Sequence, residues 1–230
     1  MKEQIVNSVF FGASITLVAF YVGELLKKKY KHPLVNPLLI SLVAIIGILL
    51  IFNIDFKSYN NGAKYISFFL TPATVCLAIP LYEELQHLKE NWIAIMAGIF
   101  SGMLSSAGTI LAMSLLFRLS HQEYVTLLPK SITVAIGMGV SEELKGIVSI
   151  TIAVIIITGI IGNVVGEFVL NKFNIKHPIA KGVAYGSSAH ALGTAKAMEI
   201  GELEGAISSL SLAVSGVLTV GVASIFANFM

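Results

Sequence analysis

From Asn91 to Phe117 the chain carries no charged side chain, and the stretches 146–166 and 205–228 are uncharged as well. A helix that crosses the hydrocarbon core of a bilayer needs roughly 20 consecutive apolar residues. Each of these runs is long enough, and a chain with several of them has too little polar surface to fold as a globule in water. The balance of residue types agrees: 56% are hydrophobic and 12% charged, about half the charged share of a soluble domain. The expected fold class is all-α, a polytopic membrane protein of about seven spans in a single integral membrane domain over 1–230. The spans are expected near 5–26, 34–52, 65–82, 91–117, 124–140, 146–171 and 205–228. Between the second and third, residues 53–64 are polar and read as an aqueous loop.

Charge position says more than charge total. The net charge of +2 is too small to argue for nucleic acid. Lys27, Lys28, Lys29 and Lys31 follow the first apolar run directly. Basic loops stay cytoplasmic, which puts that end inside and the N-terminus outside. A cleavable signal peptide has its positive cluster ahead of the apolar run, so 5–26 reads as a span. The single cysteine, Cys76, lies in an apolar segment, and one cysteine forms no intrachain disulfide.

Three segments depart from plain spanning helices. Residues 65–82 hold Pro72 and Pro80, and 124–140 holds Pro129, Lys130, Gly137 and Gly139. Proline removes a backbone donor and kinks a helix, which lipid tolerates only where protein or a wet cavity satisfies the freed groups. Segment 178–203 is rich in small residues yet carries Lys181, His190, Lys196 and Glu199, the pattern of a re-entrant or broken hairpin.

Two internal repeats are visible. VGELLKKKYKHPL (Val22–Leu34) matches VGEFVLNKFNIKHPI (Val165–Ile179), and ATVCLAIPLYEEL (Ala73–Leu85) matches ITVAIGMGVSEEL (Ile132–Leu144). If 124–140 is a full span, the two KHP turns lie on opposite membrane faces and the first repeat is inverted, as in many secondary transporters. If it is a re-entrant half-helix, the turn with Lys172, Lys176 and Lys181 moves inside and the repeats run parallel.

ISFFLTPATVCLAIPLY (Ile66–Tyr82), LLPKSITVAIGMGVSEELKGI (Leu127–Ile147) and KHPIAKGVAYGSSAHALGTAKAMEIGELEGAISSL (Lys176–Leu210) resemble the LrgB/CidB-like family of bacterial membrane proteins. The similarity covers roughly 60–230, with the first two spans a looser match. Many LrgB-like members have proline where this chain has Ala135, and the CidB-like branch is closer here. The resemblance implies a multi-pass protein of the bacterial inner membrane. The family is described as holin-like or antiholin-like, acting in murein hydrolase regulation and cell lysis. Descriptions of it and its plastid relatives also imply carriage of small carboxylates such as pyruvate, glycolate or glycerate. It further implies a small LrgA/CidA-like membrane partner, and it allows a homodimer.

A carboxylate held within the membrane needs donors around it, because an unpartnered buried ion costs several kcal/mol. Ser187, Ser188, His190 and Thr194 supply hydroxyls and an imidazole within one short stretch among glycines. Close helix packing by small residues is the plainer reading of the same pattern. His190 can bind the anion or couple transport to a proton, or it can be a satisfied buried donor. Thr74 and Thr133 hold matching places in the two broken segments and can face one cavity, or bond back to their own helices. Glu142 is the candidate gate or proton site, while Glu83, Glu84 and Glu143 read as solvated helix ends. Lys181 and Lys196 can draw an anion inward or extend to the interface. Glu24 and Glu167 read as partners for nearby lysines, and Asn163 as glue between helices. The five histidines are scattered, so neither metal nor any other cofactor is expected. Hydrolase and nucleotide-binding signatures are absent from the sequence, and an enzyme is not expected. The expectation is a membrane carrier for a small organic anion, with a holin-like or antiholin-like regulator as the alternative.

Overall fold

The computed structural model describes residues 8–30, 35–76 and 78–230, without the side chains of Leu70, Thr71, Thr74, Pro80 and Leu81. All described secondary structure is helical. The chain divides into two compact units, Met1–Cys76 and Leu77–Met230.

The first unit contains α1 (Val9–Tyr30), α2 (Pro37–Ile51), α3 (Phe56–Phe68) and α4 (Leu70–Cys76). Helix α2 starts where Asn36 Oδ1 accepts from the Leu38 and Leu39 amides and Pro37 presets the first turn. Helices α1 and α3 cross backbone to backbone at two glycines. A Cβ on Gly12 would lie 2.7 Å from Ala63 N, and one on Gly62 would lie 2.7 Å from Gly12 N. A 2.9 Å bond between Thr16 Oγ1 and Tyr59 Oη sits beside that crossing. Much of the stretch expected as a polar loop at 53–64 is therefore helix, capped by Asp55 through the Lys57 amide. Its residues are polar, but the cap and the packing against α1 make it helical.

The second unit begins with two short helices, α5 (Ala78–Glu83) and α6 (Leu85–Glu90), followed by the long α7 (Trp92–Phe117). A turn at residue 69 interrupts the expected span 65–82, whose described parts belong to α3, α4 and α5. Helix α7 ends at Arg118 in the left-handed region, with Leu119 N bonded to Ser114 O. A capping box between Ser120 and Glu123 then starts α8 (His121–Leu127). The Ser120 amide and hydroxyl both donate to Glu123, which holds that carboxyl below its ordinary range.

The expected span 124–140 is instead a tight helical hairpin. Helix α8 returns along α7, with Tyr124, Val125 and Leu128 packed on Ile110. The chain turns at Leu128–Thr133 and α9 (Val134–Glu143) runs back. Cross-links between the arms fix this geometry. Gln122 Nε2 reaches Lys145 O, the Ile147 amide donates to Thr126 Oγ1 at 2.8 Å, and Thr151 Oγ1 joins Thr126 O to Ser141 Oγ. Pro129, with its fixed φ and missing donor, stands at the turn.

Helix α10 (Val148–Lys172) leads to α11 (Pro178–Ile200) and α12 (Glu202–Phe226). Helix α11 breaks at His190, whose φ of 42° and ψ of −132° are not helical. Its two arms then run in opposite directions along α12. In the first arm Gly182 faces Ile207 and Gly186 faces Ser211; in the second, Thr194 bonds Ser208 and Met198 packs on Gly205. A Cβ on Gly193 would lie 2.7 Å from that of Ala189, so the arms fold against each other at the turn.

Among the described residues, four helices are long and apolar enough to cross a membrane: α1, α7, α10 and α12 with the short 3-10 turn after it. Helix α2 is apolar but shorter. The chain is thus an all-α polytopic membrane protein.

Candidate functional site

Both hairpins reach the middle of α7, and they arrive from opposite ends. The first arm of α11 runs parallel to α7. A Cβ on Gly98 would lie 3.0 Å from Val183, and one on Gly102 would lie 3.2 Å from Ser187 Oγ. The α8–α9 hairpin enters from the C-terminal end of α7, and its turn bonds α7 through Ser131 Oγ to Ser106 Oγ at 3.0 Å. Ser106 lies one helical turn beyond Gly102.

Between α7, the first arm of α11 and the α8–α9 turn lies a cavity of about 790 Å³. One face of α7 contributes small and hydroxylated residues from Asn91 to Thr109, including Ser101, Ser105 and Ser106. Ser187 and Ser188 line the opposite wall, and Lys130 with Ser131 occupies the hairpin turn. Among the described residues the lining includes no aspartate or glutamate. Lys130 Nζ donates to Ser131 Oγ at 2.9 Å, which continues through Ser106 as a polar chain.

Most of the hydroxyls bond back to their own helices. Ser187 donates to Val183 O at 2.6 Å, Ser188 to Ala184 O, Ser101 to Gly98 O and Thr109 to Ser105 O. Each oxygen keeps lone pairs for a ligand donor. Rotation about one bond redirects its proton to an anion.

The candidate residues separate in space. Ser187 and Ser188 line the cavity. His190 is buried at the turn, and its Nε2–H donates to the Ile155 carbonyl at 2.9 Å. Thr194 is buried behind it, bonded to Ser208 at 2.9 Å. Neither is part of the cavity lining. Thr133 is the N-cap of α9 without a side-chain cap bond, and it too lies outside the lining. Glu142 is exposed in the last turn of α9. The side chain of Thr74 lies outside the described residues.

The lysines divide likewise. Lys196 bridges Glu167 at 3.1 Å and Glu199 at 3.5 Å, so it ties the second arm of α11 to α10. Asn163 Nδ2 donates to Leu192 O at 2.7 Å and joins α10 to the same arm. Lys130, Ser131 and Ser106 are site residues that sequence reasoning did not single out. The signal for Lys130 was a lone ammonium in an otherwise uncharged stretch, since ionisable groups at membrane depth are functional by default. Among the described residues no group of three His, Cys, Asp or Glu side chains could hold a metal.

Comparison with known proteins gives a consistent family. The model of the LrgB-like family matches residues 16–229, which takes in the first spans as well as the three blocks noted above. The holin-like protein CidB of Staphylococcus epidermidis is 38% identical over 205 residues, covering 89% of this chain and 90% of that protein. The antiholin-like protein LrgB of Bacillus mycoides is 39% identical over 222 residues, 96% of each chain, and that of Bacillus cereus matches equally. The two branches are about equally similar to it, so identity does not separate them. No solved structure matches the chain. With a family model over nearly its whole length and relatives of this similarity, the chain belongs to the LrgB-like family of membrane proteins.

Proposed function

We propose that this chain is a carrier that moves a small organic monocarboxylate, of the pyruvate, glycolate or acetate kind, across the bacterial inner membrane by alternating access. The observation that carries the reading is the convergence of two helical hairpins, from opposite ends, on the middle of α7 beside a hydroxyl-lined cavity. Discontinuous helices meeting near the midplane are how secondary carriers expose backbone and side-chain donors to a solute without opening a continuous pore. The volume suits a small solute with some of its water. The absence of carboxylates from the lining favours an anion. Basic residues cluster at the base of the α11 hairpin (Lys172, Lys176 and Lys181), whereas Arg118 and Lys145 flank the α8–α9 hairpin. That asymmetry favours a cytoplasmic base for α11. In this reading the carrier works beside a small LrgA/CidA-like membrane protein and as a homodimer.

Uptake of labelled pyruvate or glycolate into vesicles, with and without the small partner, tests the proposal. Saturable uptake that falls with Ser187→Ala and Ser188→Ala supports it, and absence of saturable uptake under both conditions ends it.

The names of the relatives, holin-like and antiholin-like, favour a second reading, a regulator of murein hydrolase activity and cell lysis. Running Ser187→Ala and Ser188→Ala through a transport assay and a lysis assay separates the two. Lost transport with intact lysis control assigns the cavity to transport.

A further inference from the structure

We propose that Lys130, at the turn of the α8–α9 hairpin, is the residue that receives the ligand's negative charge, and that the site accepts one such charge at a time. The inference rests on the carrier reading for its physiological meaning, but it stands on the cavity's own chemistry.

Lys130 is half-buried at the level of the middle of α7. Its bonded partner is a neutral hydroxyl, Ser131 Oγ, and among the described residues no carboxylate lies within ion-pair distance of it. An ammonium withdrawn from water without a counter-ion is costly, because a hydroxyl dipole returns only part of the lost hydration. Lys196 is compensated by Glu167 and Glu199. Lys130 lacks such a partner, and it lines a cavity able to admit one. A carboxylate there bridges the Lys130 ammonium and the Ser131 hydroxyl, which are 2.9 Å apart, and so completes the ion pair. Ser106 holds Ser131 in place from α7.

Charge number follows from the rest of the wall. The other titratable lining residue is His177, which comes just before α11. Measured along α7, Asn91 at that end of the lining is roughly 22 Å from Ser106 by helical rise. The second charge of a small dicarboxylate therefore meets serines and glycines without a cation.

Thermal unfolding of the purified full-length protein in detergent tests this, with acetate, pyruvate or succinate added at constant ionic strength. Wild type is expected to gain Tm saturably with acetate and pyruvate and much less with succinate. Lys130→Met is expected to unfold at a higher temperature than wild type without anion, since it removes an uncompensated charge, and to lose the pyruvate shift. Lys130→Arg keeps the shift. Lys130→Gln, the milder variant, raises the half-saturating pyruvate concentration by more than about tenfold. A full pyruvate shift in Lys130→Gln, an equal succinate shift in wild type, or no monoanion shift in wild type overturns the assignment. Lys130-dependent stabilisation without uptake in vesicles removes the carrier reading and leaves this assignment intact. Uptake undiminished in Lys130→Gln does the reverse.

Discussion

His190 is held in a backbone conformation that L-residues rarely adopt, with φ of 42° and ψ of −132°. Such a conformation costs on the order of 1–3 kcal/mol and persists only where the surroundings over-determine it. Here they do: the ring donates to Ile155 O and lies against Gly159, where a Cβ would stand 2.6 Å from Cε1. Gly159→Ala is therefore expected to destabilise the protein by about 1–3 kcal/mol through overpacking. Adding His190→Gly should recover part of that loss by removing the ring and the backbone strain together. Unfolding midpoints of the two single variants and the double variant measure the coupling, and simple additivity would refute the contact. Tyr185 gives the opposite sign. Its side chain is buried, and its hydroxyl has no hydrogen-bond partner among the described residues. Tyr185→Phe is expected to be neutral or stabilising by up to about 1–3 kcal/mol, the penalty of an unsatisfied buried polar group; a clear fall in midpoint would disprove this. At this scale the sequence singled out a stretch whose first hydroxyls line the cavity, but not the direction of each side chain. Ser187 and Ser188 were legible as cavity residues from the small, hydroxylated pattern around them. His190 and Thr194 share that pattern, yet the chain reversal between them sends both into helix contacts.

Element lengths were legible wherever hydrophobicity alone decides, as in α7, α10 and α12. They were not where a turn interrupts an apolar run. Residues 124–140 are long enough to cross as one helix, about 25 Å at the usual rise, so length could not reveal the hairpin. What decides it is polar bonding between distant residues. Thr126 Oγ1 donates to Gln122 O and accepts from the Ile147 amide, tying α8 to the start of α10. Thr126→Val preserves shape but leaves that amide without its acceptor, and a loss of about 1–3 kcal/mol is expected. Thr126→Ser keeps the hydroxyl and should lose much less. Equal losses in the two variants, read from unfolding curves in detergent, would mean that the methyl group rather than the bond holds the hairpin. Segment 178–203 was easier to read as a hairpin, because charge and glycine content both argue against a lipid-facing helix. The helix at Phe56–Phe68 was missed for the converse reason: its polarity suggests a loop, but an Asp55 cap and glycine-mediated packing on α1 make it helical.

For the whole molecule, two hairpins that do not cross change how many times the chain passes through the membrane, and hence which turns share a face. The expected topology of the second unit is that α7 crosses, α8–α9 returns to the face where it began, α10 crosses back, α11 returns to its own starting face and α12 crosses again. Ser120 and Lys145, at the two ends of the α8–α9 hairpin, then lie on one side, and Lys176 and Glu202 lie together on the other. The seven-span expectation separates Ser120 from Lys145 instead, so the two arrangements are distinguishable. Cys76 is the only cysteine, and its replacement by serine provides a background for single cysteines at these four exposed positions. A membrane-impermeant maleimide applied to intact cells and to inverted vesicles should label Ser120→Cys and Lys145→Cys from the same side. Lys176→Cys and Glu202→Cys should react from the opposite side, which the lysines around them make the cytoplasmic one. Labelling of Ser120→Cys and Lys145→Cys from different sides would restore a full span at 124–140. It would also remove the convergence of hairpin turns on which a mid-membrane site depends.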